Sequence, residues 1–427
     1  MKSSSVKYFV LAGVLATFVA GCGSSSNDTD DTSPEPSTTT IFGPVDSISV
    51  GEQTITVNGY QLETTQASVS YEDNILTTSA ITQGTQVEIE TLNASAQEIE
   101  LDPAVTGIVT AIQADHIVVN GEAFYFDQLS DNIAIGSWVM ISAKQQSDAS
   151  WLVSSIDNPL ELTTSEVEGR ISSLNIDAHQ FNIGTIIVNY SNAEFDDKNT
   201  LQVGLWVEVF GQYSNHMLDA IDIDIENQHD YHGAEVEGTV TWVNSEQSHF
   251  ELNGHTKIKI TAETRFEDGS QSDLSIGDIL NVDLIEKNQA LLATEIDFES
   301  QQTPVSKSFS LEGLAQIDGE TFMINHIEFA LDAGTYFDDG LTLASLNNTW
   351  VEIEGIESIS HPDDTLWLVK EVDKEQQEQH IDLEGPVENN TLWNYASSDN
   401  SLSQFNGQWV EVECQLNGDD LLGCKRD

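Results

Sequence analysis

The chain has 427 residues, of which 72 are Asp or Glu and 14 are Lys or Arg, giving a formal net charge of −58. So negative a chain repels nucleic acid phosphates and anionic lipid headgroups, which excludes a nucleic acid partner. Apolar residues make up 39%, enough for several small cores, and 28 glycines with 8 prolines exclude a fibrous chain.

Met1 to Gly21 has the three zones of a secretory signal: Lys2 and Lys7, an apolar run from Tyr8 to Ala20, and small residues at the end. The run falls short of the roughly 20 residues that a membrane-spanning helix needs. It closes with Val19-Ala20-Gly21-Cys22, which resembles the lipobox cut by bacterial lipoprotein signal peptidase. The resemblance implies a diacylglyceryl thioether on Cys22, cleavage before it, and acylation of the new amine. The alternative is an ordinary secreted protein with a chance cysteine. Two or three acyl chains anchor durably, where one binds only marginally. Gly23 stands where Asp would favour inner-membrane retention, so the expected address is the outer membrane, its face left open. Residues 23 to 40 hold nothing apolar to bury and are expected to be disordered. Signal 1–21 and lipidated tether 22–42, of roughly 25 Å reach, then give way to folded modules.

Three landmarks recur in order from there on. A glycine two residues before an apolar residue opens each unit: Gly43-Pro-Val45, Gly107-Ile-Val109, Gly169-Arg-Ile171, Gly238-Thr-Val240, Gly313-Leu-Ala315 and Gly385-Pro-Val387. Next comes G-x-W-V at Gly136, Gly204 and Gly407, with looser copies at Gly84, Gly277 and Asn348. An apolar residue and an acid close the unit: Ile99-Glu100, Ile156-Asp157, Ile223-Asp224, Ile296-Asp297 and Val372-Asp373, with Arg426-Asp427 at the chain end. Six modules follow, at 43–103, 104–159, 160–233 (with a linker), 234–304, 305–380 and a short 381–427.

Within a module the pattern is that of strands. Glu235 to Val243 partly alternates, and Trp206-Val-Glu-Val-Phe210 and Trp409-Val-Glu-Val-Glu413 place apolar residues and carboxylates on opposite faces. Asn58-Gly59, Asn120-Gly121 and Asn253-Gly254 each follow an apolar strand, the signature of a type I′ hairpin. About five short strands and no helix per module predict an all-β chain of tandem small barrels, OB- or SH3-like. Trp138, Trp206, Trp350 and Trp409 recur at one module position and read as core plugs, with a carbohydrate platform as the sharper alternative. The last module shows no clear hairpin. Its Cys414 and Cys424 flank an Asn417-Gly418 turn; a three-residue loop at Gly418 to Asp420 would set them opposite each other as a structural disulfide, a redox role being the weaker reading.

The G-x-V opening, the V-N-G hairpin, the G-x-W-V strand and the closing I-D together resemble an uncharacterised bacterial lipoprotein family. Its tandem module is a domain of unknown function found in Gram-negative envelope proteins. The likeness spans most of residues 43 to 427. It is best in modules two to four; module five departs at Asn348 and at Asn325-His326. The family implies no catalytic residues for any position here.

Candidate chemistry is sparse. An acidic turn recurs at Tyr71-Glu72-Asp73-Asn74, Phe195-Asp196-Asp197, Phe266-Glu267-Asp268-Gly269 and Phe337-Asp338-Asp339-Gly340. Calcium takes several oxygen ligands from a loop, so these turns are its candidate sites; ordinary turn chemistry explains them equally. His229 and His232, with Glu235 nearby, have zinc-like spacing between modules three and four, although a solvated linker would look the same. No G-x-S-x-G, H-E-x-x-H, P-loop or dinucleotide motif is present in the sequence. The expected function is a non-catalytic envelope lipoprotein, a string of modules serving as binding scaffold or spacer for an envelope protein or glycan. A calcium-dependent adhesion or matrix protein is the alternative, and an unrecognised enzyme the second.

Overall fold

The computed structural model describes residues 38–426 except 127–128, 131, 147–149, 160–161, 196–200, 226–230, 289, 305, 320, 339 and 362–363. Cys22 and most of the tether lie outside the described residues. The last five tether residues do not, since Thr38–Ser49 is one strand. Three β-branched threonines and Ile41 pair there with the strand Gln86–Leu92, so the first module begins before its glycine landmark.

The chain is all-β, and among the described residues only 3₁₀ turns such as Thr78–Ala80 and Gln271–Asp273 lie between the strands. Module four shows the unit complete. Ala234–Val243 pairs antiparallel with His249–Leu252, which pairs with Thr256–Lys259. Thr256–Lys259 runs parallel to Ala290–Gln301, whose other neighbour, Asp278–Lys287, returns to the first strand. The ring therefore closes in the order 1-2-3-5-4-1 with strands three and five parallel, which is the order of an OB-type barrel. An SH3-type barrel has no such parallel pair. Modules one, three and six close the same way. In module five the parallel closure is reduced to the bridge Ala330↔Leu368.

The landmarks now have physical causes. The apolar residue of the opening landmark is buried in every module: Val45, Val109, Ile171, Val240, Ala315 and Val387. Its carbonyl accepts a 2.8–2.9 Å bond from the amide of Gly84, Gly136, Gly204, Gly277, Asn348 or Gly407, respectively. Those six residues all have positive φ, from 62° to 96°, which glycine adopts freely and asparagine tolerates best among the rest. In modules one, two and four the opening glycine is covered by the hairpin asparagine: Asn58 and Asn120 donate to the Phe42 and Thr106 carbonyls, and Asn253 accepts from the Thr239 amide. Both residues of these three Asn-Gly turns have positive φ, as a type I′ hairpin demands.

Three expectations need correction. The recurrent tryptophans are not plugs of their own barrels: the next residue, Val139, Val207, Val351 or Val410, fills the core. Alternation then turns the tryptophan outward, into a seam. Trp138 packs against the module-one core, Trp206 stacks on His255 of module four at 4.0 Å, and Trp409 donates to the Ser308 carbonyl of module five. Module six does have hairpins, built on Asn389-Asn390 and Trp393-Asn394, four residues that all have positive φ. Finally, the Cys414–Cys424 disulfide forms, but around a two-residue loop, because Asn417 pairs with Asp420. One extra residue at Gly423, with φ of 61°, restores the alignment as a bulge and brings the two Cα atoms to 4.2 Å.

The modules are joined side by side. Thr40–Phe42 of module one runs parallel to Ala234–Val236 of module four. Val105 and Thr106 of module two pair with Val167 and Glu166 of module three, and Ser310 and Leu311 of module five with Glu384 and Leu383 of module six. Each of these strand junctions uses residues just before an opening glycine, which pair with the fourth strand of their own barrel on one side and lie beyond the ladder with the second strand on the other. Trp242 and Ile276 of module four pack on Ile356 and Leu368 of module five in a further apolar contact.

Candidate functional site

The chain's scarce cations gather at these seams. Arg170 of module three meets Asp332 of module five at 2.8 Å and Glu251 of module four at 3.5 Å, and donates to the Gly254 carbonyl. Lys370 of module five holds Glu251 through both carboxylate oxygens, at 2.8 and 2.9 Å. Burial would raise the Glu251 carboxyl, yet Lys370 and Arg170 hold it down to about 2. Lys144 of module two bonds Glu237 of module four at 2.7 Å. Lys257 lies 4.7 Å from the Trp242 ring centre and 4.5 Å from that of Tyr336, and donates to the Lys370 carbonyl. Burial pulls its ammonium down to about 8 and the neighbouring His249 down to about 4.

The acidic turns and the closing acids, separate in sequence, are partners in the fold. A short strand leading into the turn runs parallel to the closing strand: Phe266 pairs with Ile296, Phe195 with Ile223, and Phe337 with Val372. In module five this brings Asp338, Glu371 and Asp373 together, one carboxylate oxygen from each within 4.8 Å of the others. Glu371 is 2% exposed, and its Oε2 has no hydrogen-bond partner. Burial pushes its carboxyl up to about 7, against the pull of Lys257. In module four the equivalent Glu267 hydrogen-bonds Glu295, and Arg265 of the same strand pairs with Glu295. Asp268 follows in the turn with φ of 52°. In module one the turn is a hairpin loop at Glu72 and Asp73, and Tyr71 donates to buried Glu166 of module three.

Other candidates fare differently. Asp196, Asp197, Asp339 and His229 lie outside the described residues. His232 is engaged away from Glu235: its Nδ1 accepts the Glu286 amide at 2.8 Å, while Glu235 is bonded to Asn58 and Tyr60 of module one. The stretch read as a linker is packed from Tyr231 onward, with that ring edge-on to Phe42 at 5.1 Å. A shallow solvent-open cleft lies where modules one to four meet, with Phe42, Trp151, Trp206 and Tyr231 on its walls.

Sequence reasoning missed Glu371, Glu251, Lys370 and Arg170. Glu371 was within reach, since Glu371-Val372-Asp373 alternates and so sets both acids on one face. The seam cations carried only one signal, their rarity.

The family model described as a domain of unknown function (DUF5666) matches residues 42–100, 106–157, 168–224, 237–297 and 314–360. A comparison with curated proteins finds no match. The five matches fall in tandem on modules one to five and cover well over half of the chain, and the chain belongs to this family.

Proposed function

We propose that this member of the DUF5666 family is a non-catalytic binding scaffold of the cell envelope, held on the outer membrane through lipidated Cys22. The observation that carries the reading is the buried Arg170–Glu251–Lys370–Asp332 cluster, which fixes three modules in one arrangement. Burying four charged groups gains little stability over an apolar contact and is tolerated where a unique arrangement matters. A spacer needs only reach, and side-by-side packing sacrifices reach. A surface that recognises a partner needs its modules in register.

The test is crosslinking in living cells, with the tagged chain recovered and its partners identified by mass spectrometry. A reproducible envelope protein or glycan partner is expected, captured less well by Arg170→Met, which removes the ion pair between modules three and five and leaves the Ala333 amide to Val203 carbonyl bond beside it. Recovery of abundant outer-membrane proteins alone would make the chain a spacer. Cys22→Ser should move the chain from the membrane to the soluble fraction, and a variant that stayed with the membrane would overturn the anchor.

A further inference from the structure

The carboxylate cluster of module five differs from its counterpart in module four by one residue that matters. Arg265 pairs with Glu295 across the parallel ladder in module four, so the chain supplies its own cation to Glu295 and Glu267 there. Tyr336 holds the Arg265 position in module five, paired with Glu371. The ammonium of Lys257 from module four acts on Glu371 and Asp373 through space, but its hydrogen bond goes to the Lys370 carbonyl and it faces two aromatic rings. His249 Nδ1 stands 3.5 Å from Glu371 Oε1, which leaves Oε2 as a buried acceptor without a donor. Such an atom is rare in a folded protein and calls for a partner.

We propose that Asp338, Glu371 and Asp373 bind one hard divalent cation, calcium by size, at the face of module five that meets module four. The donor set is all carboxylate oxygen, which selects calcium or magnesium over softer metals. Calcium holds oxygens at about 2.3–2.6 Å, so ligands on opposite sides of it stand roughly 5 Å apart, whereas magnesium's about 2.0–2.1 Å requires a tighter cage. Carboxylate oxygens within 4.8 Å of one another suit the larger ion. Glu371 is rooted in the packed strand, while Asp338 and Asp373 are half-buried, so water can complete the shell from the open side. The ion supplies from solution the charge that Arg265 supplies in module four. This goes beyond the scaffold reading and does not depend on it.

The experiment is calorimetric titration of the full chain with calcium chloride at constant ionic strength, alongside melting curves. One saturable site is expected, with a dissociation constant on the order of 10⁻⁴–10⁻³ M, as in weak calcium modules. Saturation should raise the melting temperature by roughly 1–3 °C beyond matched sodium chloride. Asp338→Asn with Asp373→Asn should weaken binding at least tenfold while melting in chelator no lower than the parent chain. Tyr336→Arg, which installs the module-four solution, should also abolish the site, and Glu267→Gln should leave it intact. Diffuse counterion uptake alone, or calcium binding unchanged in both site variants, would overturn the proposal.

Discussion

A methyl group added at Gly107 would lie 2.4 Å from Asn120 Oδ1, and one added at Gly43 would lie 2.0 Å from Asn58 Oδ1. Both asparagines are buried and fold over the opening strand of their module, so neither can swing away without giving up its bond to the Phe42 or Thr106 carbonyl. Gly107→Ala should therefore cost about 1–3 kcal/mol in urea unfolding, the range for overpacking together with a lost buried hydrogen bond. A loss below about 0.5 kcal/mol would mean that the turn yields. The recurrence of the glycine was plain in the sequence, but its cause was not, because the clashing asparagine comes from the next hairpin. Glu384 offers a second test at this scale. Burial, together with Glu411 directly across the ladder, pushes its carboxyl up to about 7, while bonds from Ser308 and Trp409 pull the other way. The folded chain thus binds this proton more tightly than the unfolded chain does. The associated stability is fully present below the ordinary glutamate value near 4.5 and is lost as pH rises through about 7. Glu384→Gln should accordingly stabilise the chain by about 1–3 kcal/mol at pH 8 and change little at pH 4. Equal effects at the two pH values would refute the buried-charge account.

At the scale of the element, the hairpins explain where reading the sequence succeeded and where it failed. Asn-Gly announces a type I′ turn because both residues must take positive φ, and three modules use it. Module six meets the same requirement with Asn389-Asn390, a pair without glycine and therefore a weaker turn signal. Module five uses Asn325-His326, and His326 sits at φ of 63°, a left-handed conformation that costs a side chain with Cβ about 1 kcal/mol. His326→Gly should recover roughly 0.5–1 kcal/mol, read as a rise in the melting temperature; a fall would show that the imidazole makes a contact worth more than the strain. The Cys414–Cys424 pair was legible from spacing and the turn signal. The Gly423 bulge that aligns it was not, since one inserted residue leaves no periodic trace. Removing the bridge with Cys414→Ala and Cys424→Ala should cost about 2–3 kcal/mol, in line with a closed loop of this length. The loss should be confined to module six, where exchange protection of the Trp409–Asn417 strand would report it.

For the molecule as a whole, barrel order and repeat length were readable because each barrel is a local product of its own 60-odd residues. The seams were not, because they join residues from 49 to 194 positions apart, and the recurrence of the landmarks does not say which module meets which. Lys370 and Glu251 are the pair on which modules four and five depend, both almost fully buried. Lys370→Met leaves the Glu251 carboxylate with Arg170 at 3.5 Å and Thr241 at 2.9 Å, in a place where water cannot make up the deficit. An uncompensated buried charge of this kind costs about 3–5 kcal/mol. The cost falls on the seam and not on either barrel, whose ladders and cores are independent of this contact. Lys370→Met should thus split thermal unfolding into separate transitions and enlarge the radius of gyration in solution scattering, while the far-ultraviolet spectrum stays that of folded β-structure. Glu251→Leu added to Lys370→Met removes the stranded charge and should restore most of the lost stability, since an apolar contact of similar volume serves as well as a buried ion pair. If the double variant melts as one unit with the scattering profile of the parent, charge is not what registers the modules, and the apolar contact among Trp242, Ile276, Ile356 and Leu368 is sufficient for it. If the single variant already behaves like the parent, Arg170 alone neutralises Glu251, and the seam is held from module three.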